Sequence, residues 1–167
     1  MIAVRLGLAC LTLALALAAC GPRQPPLGPE DRAAVAAGVR DYARTVAEDL
    51  AREGPLAWRR HFSPTPEFFM ANDGELAFAD GPAAQRGVAG LPQSIRTIEL
   101  RWGKDLRVDP LTRDLAAMGS SWSEILTDPQ GRATRAAGYF TALLERRDGR
   151  WRFRNAHWSS RRPDAPP

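Results

Sequence analysis

The sequence predicts an α+β fold, in which helices come first and a run of antiparallel β-strands follows. Apolar residues recur at three- and four-residue steps between Pro29 and Glu53, which is the spacing of one buried helix stripe. From Ile95 onward, stretches rich in β-branched and aromatic residues alternate with Gly, Pro, Asp and Asn turns. The long helix must bury its stripe, and we expect it to pack on the curved face of the later sheet.

Shorter elements are predicted between these two regions. Leu56, Trp58 and Phe62 suggest a short second helix, which the proline-rich segment 63–66 ends. The segment 67–79 predicts two short strands around an Asn-Asp-Gly turn, and 83–94 predicts a third helix. The expected order is therefore three helices, a small hairpin between the second and third, and a later sheet.

The first 19 residues predict a lipoprotein signal peptide. Arg5 precedes a thirteen-residue apolar run that is too short to span a bilayer comfortably. The run ends in Leu-Ala-Ala-Cys, which resembles the lipobox of bacterial lipoproteins, in which Cys20 carries the lipid. An ordinary cleaved signal and an uncleaved anchor remain alternatives. We expect a lipidated cysteine and tether over 20–28, one domain over 29–160, and a flexible tail over 161–167.

This organisation predicts a location at the bacterial cell envelope, facing the periplasm. Gly21 after the cysteine resembles the default outer-membrane sorting signal, if the source has two membranes. Once Cys10 leaves with the signal and Cys20 takes the lipid, the domain has no cysteine and no disulfide. The net charge of +4 is spread among interspersed acidic residues, so no nucleic-acid partner is predicted.

No cofactor or metal ion is predicted either. His61 and His157 are the only histidines, and no two ligands are spaced for one helix face. The glycine-rich segments lack a phosphate-loop pattern.

The segment from Gly138 to Ser160 predicts a β-hairpin that turns at Asp148-Gly149. A two-residue turn sets the register, so we expect Glu145 and Arg152 to form a cross-strand ion pair. The same register puts Asn155 and His157 at the far end of the buried face. The other members of that face are Phe140, Ala142, Leu144, Arg146, Trp151 and Phe153, with Trp151 stacked against Arg146.

Several short motifs then resemble the nuclear-transport-factor-2-like superfamily, and best its bacterial SnoaL-like and ketosteroid-isomerase-like branch. They are Arg113-Asp114-Leu115-Ala116, Gly138-Tyr139-Phe140, Arg147-Asp148-Gly149-Arg150-Trp151 and His157-Trp158-Ser159. The resemblance covers about residues 32–160 and implies a cone-shaped, cystatin-like roll. It does not imply one function, because this fold hosts isomerases, dehydratases, cyclases, carriers and dimerisation modules.

By that resemblance, catalysis would use an acidic base near Asp80 and a phenolic donor at Tyr42. The third member of the set, an acid near Ala142 or Leu143, is missing, which leaves any oxyanion hole incomplete. The residues themselves favour simpler roles. Asp80 before Gly81-Pro82 is typical of a turn residue that accepts backbone N–H groups, and Tyr42 is typical of a core residue.

His157 is the other candidate, because a histidine in an apolar cavity can act as a general base or simply line the cavity. The predicted ligand pocket contains Tyr42, Trp58, Trp102, Trp122, Phe140, Phe153, Asn155 and His157. Three functions stay open. The domain could hold a small apolar ligand or serve in envelope assembly without catalysis. It could be an isomerase, dehydratase or hydrolase that uses His157 with Asp80 or Asn155. It could be an interaction module that forms a homodimer through the open sheet face.

Overall fold

The computed structural model describes residues 26–161. The predicted signal peptide, Cys20 and nearly all of the predicted tail lie outside the described residues. The helices are α1 (Pro29–Glu53), α2 (Trp58–His61) and α3 (Gly81–Gly90), with 3₁₀ turns at Pro55–Ala57 and Leu91–Gln93. The strands are β1 (Phe69–Asn72), β2 (Glu75–Phe78), β3 (Thr97–Trp102), β4 (Arg107–Thr112), β5 (Leu115–Thr127), β6 (Ala133–Arg147) and β7 (Arg150–Ser160). The α+β prediction is confirmed.

Helix α1 has the bounds that its sequence predicts. Pro29 occupies the first turn together with two acidic residues, which suits the positive end of the helix dipole. Gly54 ends the helix with φ 72°, and its N–H donates to the carbonyl of Leu50. The stripe from Val35 to Leu50 is buried against the sheet. No helix among residues 26–161 has the length and apolar character needed to cross a bilayer.

The seven strands form one curved sheet in the order β2-β1-β7-β6-β5-β3, and β4 also pairs with β5. Every pair is antiparallel except β1 and β7, which run parallel. The strands after Ile95 pair antiparallel as predicted, whereas the parallel pairing of the early strand β1 with β7 was not predicted. A parallel pair needs a long crossover, and the elements between β1 and β7 supply it.

The hairpin of β6 and β7 turns as predicted but does not keep the predicted register. Asp148 and Gly149 have φ values of 51° and 73°, the conformation of a type I′ turn. The expected pairing holds as far as Leu144 opposite Phe153, and the next pair is Leu143 opposite Asn155. Arg154 is therefore one extra residue on β7, a β-bulge.

The bulge reverses the faces of all later residues of β7. Ala156 and Trp158 point into the core, where they are 3% and 9% exposed. His157 is exposed and Asn155 is half-buried on the other side of the sheet. The prediction that Asn155 and His157 lie on the buried face is wrong, because it assumed a ladder without a bulge. The Asn155 side chain accepts a hydrogen bond of 3.2 Å from the Leu143 N–H beside the bulge.

The predicted ion pair between Glu145 and Arg152 is also wrong. The two residues are opposite each other, but the Glu145 carboxylate contacts Arg147 at 3.0 Å and Arg154 at 3.1 Å. It also accepts a 2.7 Å hydrogen bond from the Ser63 hydroxyl. These three hydrogen-bonding partners explain how the Glu145 carboxylate, which was expected in solvent, can be buried here.

The predicted stacking of Arg146 on Trp151 is confirmed, with the Arg146 guanidinium 5.5 Å from the centre of the Trp151 ring.

Candidate functional site

An apolar pocket of about 210 Å³ lies between the inner face of the sheet, α2, α3 and the β1–β2 hairpin. We call it the cone pocket. Aromatic and aliphatic side chains form most of its wall, among them Trp58, Phe62, Met70, Phe78, Val88, Ile98 and Trp158. Its polar lining residues are Asn72, Trp122, Glu124 and Ser160. Few polar groups within an apolar wall are typical of small-molecule sites.

Strand β5 places Trp122 and Glu124 in this pocket by simple alternation. Every second residue of β5, from Ala116 to Trp122, is buried, and Glu124 continues the same phase. Glu124 is opposite Leu100 of β3 on one side and Ala136 of β6 on the other. The residue opposite Trp122 on β6 is Gly138. Small residues on β6 at these two positions leave space in front of the two larger side chains of β5.

Glu124 is a carboxyl group for which the described part of the chain provides no partner. Its side chain makes no hydrogen bond or ion pair with any other residue in the described range 26–161. Burial in these apolar surroundings raises the pKa of Glu124 from 4.5 to about 7. At neutral pH the group therefore populates both the protonated form, which can donate a hydrogen bond, and the ionised form.

Trp122 supplies an unpaired donor next to this carboxyl group. Its indole Nε1 is the one fully buried side-chain nitrogen or oxygen between residues 26 and 161 that has no hydrogen-bond partner. The ring is held edge-on against Trp158, with the ring centres 5.0 Å apart. An unmet buried donor costs free energy. Because Trp122 is one of the residues that line the cone pocket, its N–H is a candidate ligand contact.

Two of the eight predicted pocket residues, Trp58 and Trp122, line the cone pocket. Phe140 and Phe153 are fully buried in the core, and Trp102 donates its indole N–H to the Ala43 carbonyl at 2.8 Å. Tyr42 lies elsewhere, with its hydroxyl donating to the His61 carbonyl at 3.0 Å, as expected for a satisfied core residue.

Asn155 and His157 lie on the opposite face of the sheet. They border a wide groove of about 980 Å³ that also contains the exposed side chains of Phe69 and Tyr139. This groove is larger than the cone pocket but lies open along the sheet surface. His157 is therefore separated by the sheet from the polar groups of the cone pocket.

Asp80 is the N-cap of α3. Its carboxylate accepts a 2.6 Å hydrogen bond from the Ala83 N–H, so the simpler role predicted for it is confirmed. Asp80 does not line the cone pocket, and neither does His157. The residues that the sequence suggested for an enzyme are thus not brought together.

Glu124 is the site residue that sequence reasoning missed. Its signal is a charged residue in the inward phase of a strand whose other inward positions are Ala116, Met118, Ser120, Trp122 and Leu126. Between residues 26 and 161, no group of three or more His, Cys, Asp or Glu side chains is placed to hold a metal ion.

No protein-family model and no curated protein matches the sequence. Solved structures do match it. A provisionally assigned scytalone dehydratase from Novosphingobium aromaticivorans superposes with a TM-score of 0.65 at 12% identity, over 75% of this chain and 83% of that one. A nuclear transport factor 2-like protein from Salmonella enterica gives 0.60 at 11% identity, over 81% and 94%. A type 2 hexachlorocyclohexane dehydrochlorinase gives 0.60 at 15% identity, over 78% and 87%.

These similarities confirm the fold that the sequence motifs implied. The chain has the nuclear-transport-factor-2-like fold, whose other solved examples include proteins described as cystatin-like. Sequence identities this low show the fold alone, and the same fold serves many different functions.

Proposed function

We propose that this domain binds one small, mostly apolar molecule in the cone pocket. The observation that carries the proposal is the pair of unpartnered polar groups, the Trp122 indole N–H and the Glu124 carboxyl, inside an apolar wall. A dry apolar cavity of about 150 Å³ can hold benzene, so a pocket of about 210 Å³ suits one substituted or fused ring system.

The polar groups specify where the molecule needs an oxygen atom. The Trp122 N–H can only donate, so its partner is an acceptor such as a carbonyl oxygen. Protonated Glu124 donates as well, and its pKa near 7 keeps much of it protonated at neutral pH. The preferred ligand is therefore an apolar ring with a carbonyl or ether oxygen at one edge.

The second candidate is an enzyme that uses Glu124 to move a proton. A general base works best when its pKa lies near the operating pH, and Glu124 meets that condition. Solved structures of the same fold include a dehydrochlorinase. In this mechanism Trp122 would hold the substrate oxygen, and the Glu124 carboxylate would accept a proton from a neighbouring carbon.

A matched pair of probes tests the binding proposal. We expect 2-tetralone to bind at least about tenfold more tightly than tetralin, which lacks the oxygen, in calorimetric titrations of the purified protein. Trp122→Phe should reduce that difference, because it leaves Glu124 as the one remaining donor of the two. Trp102→Phe is the control, because the Trp102 N–H already has a partner outside the cone pocket. Failure of 2-tetralone to bind, or equal affinity for both molecules, would contradict the proposal.

The same probe separates binding from catalysis. If Glu124 acts as a base, the protein accelerates exchange of the α-hydrogens of 2-tetralone in heavy water, and Glu124→Gln removes the acceleration. If the site only binds, exchange proceeds at the rate without protein while the calorimetric signal persists.

We also propose that lipidated Cys20 anchors the domain to the bacterial envelope, facing the periplasm. The support is the short apolar run and the Ala-Ala-Cys-Gly sequence at its end. Cys20→Ser should abolish incorporation of labelled palmitate and release of the mature N-terminus at residue 20. Undiminished labelling of the variant would show that the lipid is attached elsewhere.

A further inference from the structure

A second pocket, of about 350 Å³, lies between α1, α2 and the first residues of β7. We call it the basic pocket. Its charged and polar lining includes Tyr42, Asp49, Arg60, His61, Arg150 and Arg152. It shares no residue with the cone pocket and contains none of the groups used in the proposed function.

The acidic group of this pocket is already neutralised. The Asp49 carboxylate is 6% exposed and contacts Arg52, the Arg60 Nε at 2.9 Å and the His61 Nε2 at 3.1 Å. Its hydrogen bond with Arg60 is the main cause that lowers its pKa to about 2, so Asp49 is ionised at neutral pH. Because it is fully engaged with these partners, Asp49 offers no free negative charge to the pocket.

The neutral polar groups are engaged as well. Burial lowers the pKa of His61 to about 4, so its ring carries no charge at neutral pH. The Tyr42 hydroxyl donates to the His61 carbonyl, and the neighbouring Thr45 hydroxyl donates to the Asp41 carbonyl. None of these side chains compensates the arginines of the pocket.

The arginines of the pocket, in contrast, have guanidinium N–H groups that take no part in an ion pair within residues 26–161. Neither Arg150 nor Arg152 makes an ion pair with any residue in 26–161. Arg60 uses Nε for Asp49 and Nη1 for Glu53, which leaves Nη2 outside both pairs. Three arginines thus line a space in which the charges of Arg150 and Arg152 have no counter-charge among residues 26–161.

We infer that the basic pocket binds a small oxyanion, a carboxylate or phosphate group, through Arg150, Arg152 and the Nη2 atom of Arg60. Planar guanidinium groups recognise such anions in bidentate fashion, and the pairing of Arg60 with Asp49 and Glu53 holds one of them in place beforehand. The same chemistry recognises a soluble phosphorylated or carboxylated molecule and the headgroup of an anionic lipid.

The first test is calorimetric titration of the full chain, held in phosphatidylcholine vesicles, with inorganic phosphate. We expect one saturable site, and Arg150→Gln/Arg152→Gln should weaken it by at least about tenfold. The control is Arg40→Gln/Arg86→Gln, which removes the same charge from exposed positions outside the pocket and should leave the affinity unchanged. Thermal melts of both double variants establish that each is folded.

Vesicles that also contain phosphatidylglycerol identify the source of the anion. A weaker apparent phosphate affinity in these vesicles means that the headgroup occupies the site, and an unchanged affinity means that a soluble anion is the ligand. Both outcomes support the inference. The absence of saturable phosphate binding, or an equal loss in the two double variants, would overturn it.

Discussion

Glu124→Gln is expected to stabilise the protein by up to about 3 kcal/mol at pH 8 and to leave its stability nearly unchanged at pH 4. The folded-state pKa of Glu124 is about 7, against 4.5 in the unfolded chain. As pH rises through this interval, the unfolded state loses its proton first, so the stability of the folded state falls. Glutamine keeps the shape of the protonated group and removes this cost. Urea unfolding at the two pH values measures the difference.

Glu99→Gln is the matched control for that experiment. Glu99 lies on the neighbouring strand β3, with its side chain exposed. We expect its substitution to change the free energy of unfolding by less than about 0.5 kcal/mol at either pH. The prediction is contradicted if Glu124→Gln changes the free energy of unfolding equally at pH 4 and pH 8, because such a result would mean that folding does not raise the pKa of Glu124.

Deletion of Arg154 and Asn155 together is expected to destabilise the fold by about 3–5 kcal/mol or to prevent folding. Ala156 would then directly follow Phe153, so the alternation of the strand would turn Ala156 and Trp158 toward solvent and bring His157 into the core. Trp158 alone contacts the rings of Trp58, Trp102, Trp122 and Phe140. Thermal unfolding followed by circular dichroism measures the loss.

Arg154→Ala measures the contribution of the Arg154 side chain separately from that of the bulge in the backbone. This variant keeps the extra residue but loses the contact with Glu145, which retains Ser63 and Arg147 as partners. We expect a cost of about 1 kcal/mol, well below that of the deletion. A double-deletion variant that melts at the wild-type temperature would show that the burial of Ala156 and Trp158 does not depend on these two residues.

The sequence predicted those parts of the fold that local chemistry determines. The proline at the start of α1, the glycine at its end and the Asp148-Gly149 turn are local signals, and the bounds of α1, β6 and β7 follow from them. The bulge at Arg154 was not predicted, because whether a bulge forms depends on which side chains of the strand are buried on the inner face of the sheet. The bulge is visible in the sequence only through the spacing of the buried residues of β7. Three positions separate Phe153 from Ala156, and two separate Ala156 from Trp158.

The candidate site was predicted in part. Trp122 was expected in a pocket because aromatic residues line apolar cavities. Glu124 was missed because a carboxyl group on a strand is usually solvated or paired. Its isolation depends on which residues lie opposite it, Leu100 and Ala136, and on the absence of a basic partner within the described part of the chain. Such properties come from tertiary packing rather than from the local sequence.

In the cone pocket, the Glu124 carboxyl group lies in apolar surroundings and has no partner among residues 26–161. The most direct test is the pKa of Glu124, followed by the ¹³C chemical shift of its carboxyl carbon in glutamate-labelled protein, with Glu124→Gln to assign the signal. We expect a titration midpoint at about pH 7. A midpoint at about 4.5, the ordinary value for a solvated glutamate, would contradict it.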